Sequence, residues 1–173
     1  MANQDNVCSN LDVPDVYSTK KEDNKYSIDI LEDLLDKQKR LQEEVYFPKL
    51  AEHVSFSGTD FKGMTLKQIK DFFLMNKHAL DDEIHEMFDA LGGIHDGIGS
   101  GVWKTWKSSH KDIDKMTLDD LSERDRKELV FEYIDAWHFF MNFGAALRVS
   151  SQDIYNYYYS KNAENIERQL NNY

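Results

Sequence analysis

The stretch from Glu128 to Leu147, which reads ELVFEYIDAWHFFMNFGAAL, decides the fold. Apolar residues lie on most sides of this stretch when it is wound as a helix. We therefore expect a long and largely buried helix that starts near Leu118 or Ser122. Glu132 and Asp135 stand three residues apart within it and share one helical face. The stretch contains no Lys or Arg, so an inward-facing acidic pair needs positive charge from elsewhere.

A second acidic pair lies upstream, on a predicted helix that begins after Thr65 and runs, in one or two pieces, to about Leu91. Thr65 is suited to cap the N-terminus of this helix. The two glycines that follow Leu91 end it, because glycine readily takes the left-handed conformation. Glu83 and Glu86 are again three residues apart, so their carboxylates are neighbours on one face.

The two acidic pairs together suggest a metal site. If the helices face each other, four carboxylates converge, and their repulsion raises some pKa values unless a divalent cation is bound. An all-oxygen set suits Mg²⁺ or Mn²⁺ rather than zinc. From the pairs alone, such a site and an ordinary solvated acidic surface are both open. A di-iron bundle is a weaker alternative, since Asp135 and His138 have the required spacing but the first pair lacks a histidine.

Two further helices complete a predicted all-α bundle of four main helices. The first follows the cap Ser27, and its apolar face is interrupted by Gln38; Pro48 and the stretch Ser55 to Gly63 are predicted to form a connection. The last is capped by the serines at positions 150 and 151 and runs to the C-terminus. No stretch alternates with period two for long enough to indicate a strand.

Composition fits one acidic globular domain, residues 27–173, preceded by a polar and poorly structured arm, residues 1–26. The net charge of −11 argues against binding nucleic acid, which requires clustered Lys and Arg. Cys8 is the single cysteine, and no segment resembles a signal peptide or a membrane span. We therefore expect a soluble cytoplasmic protein with neither a nucleic-acid nor a membrane partner.

Two further motifs carry possible phosphate ligands. Five of the eight glycines lie between Gly92 and Gly101, in a predicted mobile loop that leads into Trp103-Lys104-Thr105-Trp106-Lys107. This Trp-Lys segment either anchors the loop on the core or forms a lid whose lysine meets phosphate. The last helix carries Lys161, Asn162, Asn165 and Arg168 close to one stripe, which is either a solvated face or a surface for phosphates and a base edge.

Taken in order, these features resemble the all-α NTP pyrophosphatases, the superfamily of MazG-like enzymes and dimeric dUTPases. Within it, the chain most resembles the dCTP pyrophosphatases (dCTPase–dUTPases) of T-even-type bacteriophages. The stretches that carry the resemblance are DEIHEMFDALGG (82–93), VWKTWK (102–107), FEYIDAWHFFMN (131–142) and YYSKNAENIERQLNNY (158–173), and LLDKQKRL (34–41) also fits.

The resemblance implies Mg²⁺-dependent hydrolysis of dCTP, and also of dUTP and the diphosphates, by metal-activated water. The implied metal ligands are Glu83, Glu86, Glu132 and Asp135, and Glu83 and Glu86 are also the catalytic candidates. Implied substrate contacts are Gln38, Trp103, Lys104, Trp106, Lys107, His138, Asn142, Lys161, Asn162, Asn165 and Arg168. A homodimer is expected, in the host cytoplasm if the gene is a phage gene. The alternatives are a dUTPase or another pyrimidine dNTP pyrophosphatase of this superfamily, and a non-catalytic helical interaction module.

Overall fold

The computed structural model describes residues 12–15, 29–53, 60–97, 106 and 114–171. All regular structure in these ranges is helical, which confirms the all-α class. The elements are α1 (Ile30–Leu41), a π-helical segment (Gln42–Tyr46), α2 (Phe47–His53), a 3-10 turn (Phe61–Gly63), α3 (Leu66–Ala90), a second 3-10 turn (Leu118–Asp120), α4 (Glu123–Leu147) and α5 (Ser151–Leu170). Within the described part of the chain, no helix is both long and apolar enough to cross a membrane.

The helices α3, α4 and α5 begin and end close to their predicted positions. At the start of α3, Gln68 N–H donates to Thr65 Oγ1 at 3.3 Å, and Thr65 N–H donates to Gln68 Oε1 at 2.9 Å. The helix is unbroken as far as Ala90, and Gly93 follows with φ of 78°. Ser150 caps α5 through its side chain, as predicted.

The first helix departs from the prediction at both ends. Its N-cap is Asp29 rather than Ser27, because the Asp29 carboxylate accepts a backbone N–H of the first turn. Helical structure also continues through Pro48 to His53, where a break was predicted. The π-helical segment just before Pro48 explains this continuity. Its hydrogen bonds reach back five residues, and this wider turn accommodates a proline ring that would clash inside a regular α-helix.

The chain divides into two compact units, with boundaries inside α3 and α4. The first unit comprises Met1–Asp15 and Phe73–Phe140, and the second comprises Val16–Phe72 and Met141–Tyr173. Apart from residues 12–15, the predicted arm lies outside the described residues. The assignment of 27–173 to one domain stays a prediction.

A buried carboxylate ties the start of α4 to the chain that follows α3 in the first unit. Asp125 accepts the backbone N–H groups of His95 at 2.7 Å and Asp96 at 2.9 Å, and the Ser122 hydroxyl at 3.0 Å. Although burial acts to raise it, these hydrogen bonds hold the pKa of Asp125 below its usual value. The turn between these residues needs a glycine at position 97, because a Cβ there would lie 2.2 Å from a carbonyl oxygen.

Three aromatic rings form the core of the second unit. Phe47, Phe61 and Phe72 are almost fully buried and meet edge to face, with ring centroids 5.0 to 5.8 Å apart. In the same unit, α1 contacts α5, where Ser151 donates its N–H to Glu32 at 2.9 Å. These contacts fix the first helix against the start of the last one.

The turn between α4 and α5 contains a strained residue. Arg148 has φ of 56°, a left-handed conformation that costs a residue with a Cβ about 1–2 kcal/mol. It follows the last residue of α4, where helices commonly place glycine. The N–H groups of Arg148 and Val149 bond to carbonyls of the last turn of α4 at 3.0 and 3.2 Å. The helix end is therefore closed without a glycine.

Candidate functional site

Three carboxylates from two helices meet in the first unit. Glu83 of α3 and the α4 residues Glu132 and Asp135 each present an oxygen, and these three oxygens lie within 4.8 Å of one another. Glu132 is only 7% exposed, and the other two are half-buried. The structure thus brings together three of the four acids that the sequence selected. Their role as metal ligands stays a prediction.

Glu86, the fourth predicted acid, is exposed and lies beside this group rather than within it. Its negative charge contributes, after burial, to raising the pKa of Glu83 and of Glu132. Glu86 is therefore close to the cluster but open to solvent.

Burial and mutual repulsion make the cluster unfavourable in its charged form. Burial, assisted by the charges of neighbouring carboxylates, raises the pKa of Glu132 to about 7. Burial also raises the pKa of Glu83 and of Asp135, and His138 opposes this shift at Asp135. At neutral pH the cluster therefore either retains protons or requires a cation.

Glu128 is a further acid at this site, and it was not among the predicted site residues. It is 1% exposed, and its charge raises the pKa of both Glu132 and Asp135. The available signal was its position four residues before Glu132, which places both on one face of α4. Its burial could not be deduced from that spacing alone, since exposed helix faces carry the same pattern.

The chemistry of the donors fits a hard divalent cation. All three clustered groups are carboxylates, which are the ligands that Mg²⁺ and Mn²⁺ prefer. No histidine belongs to the group, so the di-iron alternative gains no support from it. No second group of three potential ligands occurs in the described ranges. The acidic cluster is therefore the one candidate metal site that these ranges offer.

A buried pair of amides lies in the second unit. Gln38 of α1 is 3% exposed, and its side-chain nitrogen donates to Asn142 Oδ1 of α4 at 2.8 Å. Gln42, one turn further along, is also buried and was not selected from the sequence, although it follows Gln38 at a same-face spacing of four residues. Buried amides need hydrogen-bond partners, so the Asn142 contact accounts for a polar residue on this face. Contact with a substrate base stays a prediction for Gln38 and Asn142.

The polar stripe on α5 is exposed and carries its own ion pairs. Arg168 lies 2.6 Å from Glu164, and Lys161 also binds this carboxylate. Asn162 and Asn165 are exposed beside them. A phosphate that approaches this stripe would therefore compete with Glu164 for both cations.

The Trp-Lys segment falls mostly outside the described residues, which include Trp106 but not Trp103, Lys104 or Lys107. Trp106 is 73% exposed. The predicted mobile loop is described only as far as residue 97. The predicted substrate contact at His138 is half-buried on α4, where its charge acts on Asp135.

Known proteins similar to this chain include two phage enzymes. A dCTP pyrophosphatase of Enterobacteria phage LZ5 is 35% identical over 150 residues, which cover 86% of this chain and 85% of that protein. The dCTP pyrophosphatase of Enterobacteria phage T4 is 32% identical over 147 residues, which cover 84% and 83%. A DNA replication protein of phage T4 is 30% identical over 136 residues, but these are only 33% of its length. No protein-family model matches the chain, and no solved structure matches it either.

Proposed function

The chain belongs to the family of the phage dCTP pyrophosphatases, and from this premise we propose that it hydrolyses dCTP to dCMP and pyrophosphate with Mg²⁺. Membership of this family makes it a nucleoside triphosphate pyrophosphatase. The observation that supports the metal-dependent reaction is that carboxylate oxygens of Glu83, Glu132 and Asp135 lie within 4.8 Å of one another. Mn²⁺ is the proposed substitute, since it accepts the same oxygen ligands.

In the proposed reaction, water attacks the α-phosphorus of dCTP as the bond to the bridging oxygen of the β-phosphate breaks. Mg²⁺ held by the acidic cluster would neutralise the carboxylates and the triphosphate and activate the water. Glu86 is exposed at the edge of the cluster, where its carboxylate can orient the water and accept its proton. Glu83 is the second proposed catalytic residue. It belongs to the acidic cluster and lies on the same helix face as Glu86.

Substrate specificity is proposed from the family resemblance. The buried amides of Gln38 and Asn142 are the proposed contacts of the pyrimidine base, and they carry both donors and acceptors. dUTP and the diphosphates dCDP and dUDP are the further proposed substrates. The cations Lys161 and Arg168 are the proposed phosphate contacts. A bound phosphate would replace the Glu164 carboxylate as the ion-pair partner of both side chains.

We also propose a homodimer. Within the first unit, α4 exposes four apolar side chains that share one helix face, at Val130 and at three, four and ten residues after it. Each is at least 41% exposed: Val130, Tyr133, Ile134, Phe140. A helix stripe of this kind is typical of a surface that packs against another helix. Light scattering over a range of protein concentrations measures the assembly. A mass of 20.3 kDa at every concentration would exclude the dimer.

The decisive test of the reaction is a panel of dNTPs incubated with the purified protein and Mg²⁺. We expect dCMP and pyrophosphate from dCTP, loss of turnover in EDTA and recovery when Mg²⁺ is restored. Glu123→Gln changes an exposed acid on α4 outside the cluster, so this control variant should turn over dCTP as the wild type does. Absence of dCTP turnover with either Mg²⁺ or Mn²⁺ would refute the proposal and favour the non-catalytic alternative.

A further inference from the structure

A cavity lies wholly within the second unit, between α1, the 3-10 turn of residues 61–63 and the turn that joins α4 to α5. Its volume is about 360 Å³, which is within the range of small-molecule sites. None of its lining residues belongs to either acidic pair or to the proposed substrate contacts. The residues that line the cavity are therefore different from those to which the proposed function is assigned.

Three cationic side chains line this cavity: Lys39, Lys62 and Arg148. None of them forms an ion pair with any carboxylate in the described ranges, although the chain carries 32 acidic residues and a net charge of −11. All three are exposed to solvent, and positive charges gathered around one cavity attract an anion. The arrangement suits a ligand that carries negative charge.

Two carboxylates, Glu32 and Asp36, also line the cavity. The Glu32 carboxylate is already engaged, since it accepts the backbone N–H of Ser151 at 2.9 Å in the first turn of α5. The positive end of that helix dipole lies at the same place, because Ser150 is a lining residue. The three cations therefore outnumber the acids even before this dipole is included.

Arg148 also has a backbone conformation that is unusual for a residue with a side chain. Its φ of 56° is one that glycine adopts without strain, and glycine is common at this position after a helix. Strained backbone of this kind is concentrated at functional sites, where the side chain is needed in one place. At this position the retained side chain is a guanidinium that lines the cavity.

We propose that this cavity binds a phosphate-bearing anion, with Arg148, Lys39 and Lys62 around the phosphate. Arginine presents paired N–H donors that match phosphate oxygens, and two lysines add charge without fixed geometry. Leu35 and Val149 supply apolar surface for the remainder of a larger ligand. The ligand is either a free phosphate, including the pyrophosphate of the proposed reaction, or a nucleoside monophosphate. The proposal concerns binding only and does not require the catalytic function.

The test is an NMR titration of the full-length protein in EDTA, with inorganic phosphate, pyrophosphate and dCMP added separately at constant ionic strength. We expect saturable shifts at the backbone amides of Lys62, Arg148 and Val149. Tighter binding of dCMP would identify a nucleotide site, and equal or weaker binding would identify a site for free phosphate or pyrophosphate. Removing one of the three cations should weaken binding by at least about tenfold, as expected for a lost charge-assisted hydrogen bond.

The variants are Lys39→Ala and Arg148→Asn. Asparagine is chosen at position 148 because it tolerates the left-handed backbone there. Arg148→Gly is a second substitution at this position that relieves the strain while removing the cation. Lys37→Ala is the matched control, since Lys37 is exposed on the same helix and does not line the cavity. Absence of saturable shifts at these three amides, or equal affinity in the wild type, Lys39→Ala and Arg148→Asn, would overturn the proposal.

Discussion

Glu132→Gln tests the electrostatic account of the acidic cluster directly. Burial and neighbouring carboxylates raise the pKa of Glu132 from 4.5 to about 7. Between these two pH values, the folded protein binds more protons than the unfolded chain. The free energy of unfolding therefore falls as the pH rises through this window. At roughly 1.4 kcal/mol per pH unit, Glu132 contributes about 3 kcal/mol to the loss of stability of the metal-free wild type.

Glu132→Gln removes the ionisable group and, with it, this part of the pH dependence. A buried amide without a full set of partners costs about 1–3 kcal/mol, but this cost is the same at every pH. The diagnostic quantity is therefore the difference in unfolding free energy between variant and wild type as a function of pH. We expect this difference to shift in favour of the variant by about 3 kcal/mol between pH 4.5 and pH 8.

The assay is urea denaturation followed by circular dichroism in EDTA, repeated at closely spaced pH values. Glu123→Gln is the control, because it removes an exposed carboxylate from the same helix. Its stability curve should run parallel to that of the wild type. If the Glu132→Gln curve also runs parallel to the wild type across this window, the cluster is not charged and buried in the way that we describe.

Three further predictions concern the cluster and the core. Glu83→Gln and Asp135→Asn should each lower dCTP turnover by at least about a hundredfold without loss of helical circular dichroism, and wild-type turnover in either variant would exclude that residue from the reaction. Mg²⁺ should raise the melting temperature of the wild type and have less effect on Asp135→Asn, because bound cation relieves repulsion among the acids; an equal rise in both proteins would place the stabilising metal elsewhere. Phe72→Ala should lower the free energy of unfolding by about 3–5 kcal/mol, measured by denaturation, since its ring packs against both Phe47 and Phe61; a loss below about 1 kcal/mol would contradict the aromatic core.

Helix ends with local sequence signals were predictable. Thr65 and Ser150 cap helices through contacts three residues along the chain, so the necessary information lies within one helical turn. The convergence of Glu83 with Glu132 and Asp135 was predicted only with the help of the family resemblance, because same-face spacing makes each pair neighbours but does not show which helix face is buried. These features depend on local geometry and on the cost of burying charge.

Other features depend on contacts that a single sequence does not reveal. Gln38 interrupts an apolar face, but its partner Asn142 lies 104 residues away, so its buried hydrogen bond could not be deduced. The continuation of the first helix through Pro48 depends on a π-helical turn, which has no sequence signature comparable to a cap. The burial of Glu128 likewise follows from packing rather than from its spacing.

Protons and metal ions must compete for the same oxygens in this cluster. The stretch from Glu128 to Leu147 contains no Lys or Arg, and the raised pKa of Glu132 means that, without metal, a proton partly neutralises the cluster near pH 7. A metal ion that binds there displaces this proton, so its affinity must increase as the pH rises through 7. The metal-free protein loses stability over the same pH range for the same reason, namely that the buried cluster gives up its proton and becomes more negative. Measured in one buffer series, metal affinity and metal-free stability should therefore change in opposite directions as the pH rises.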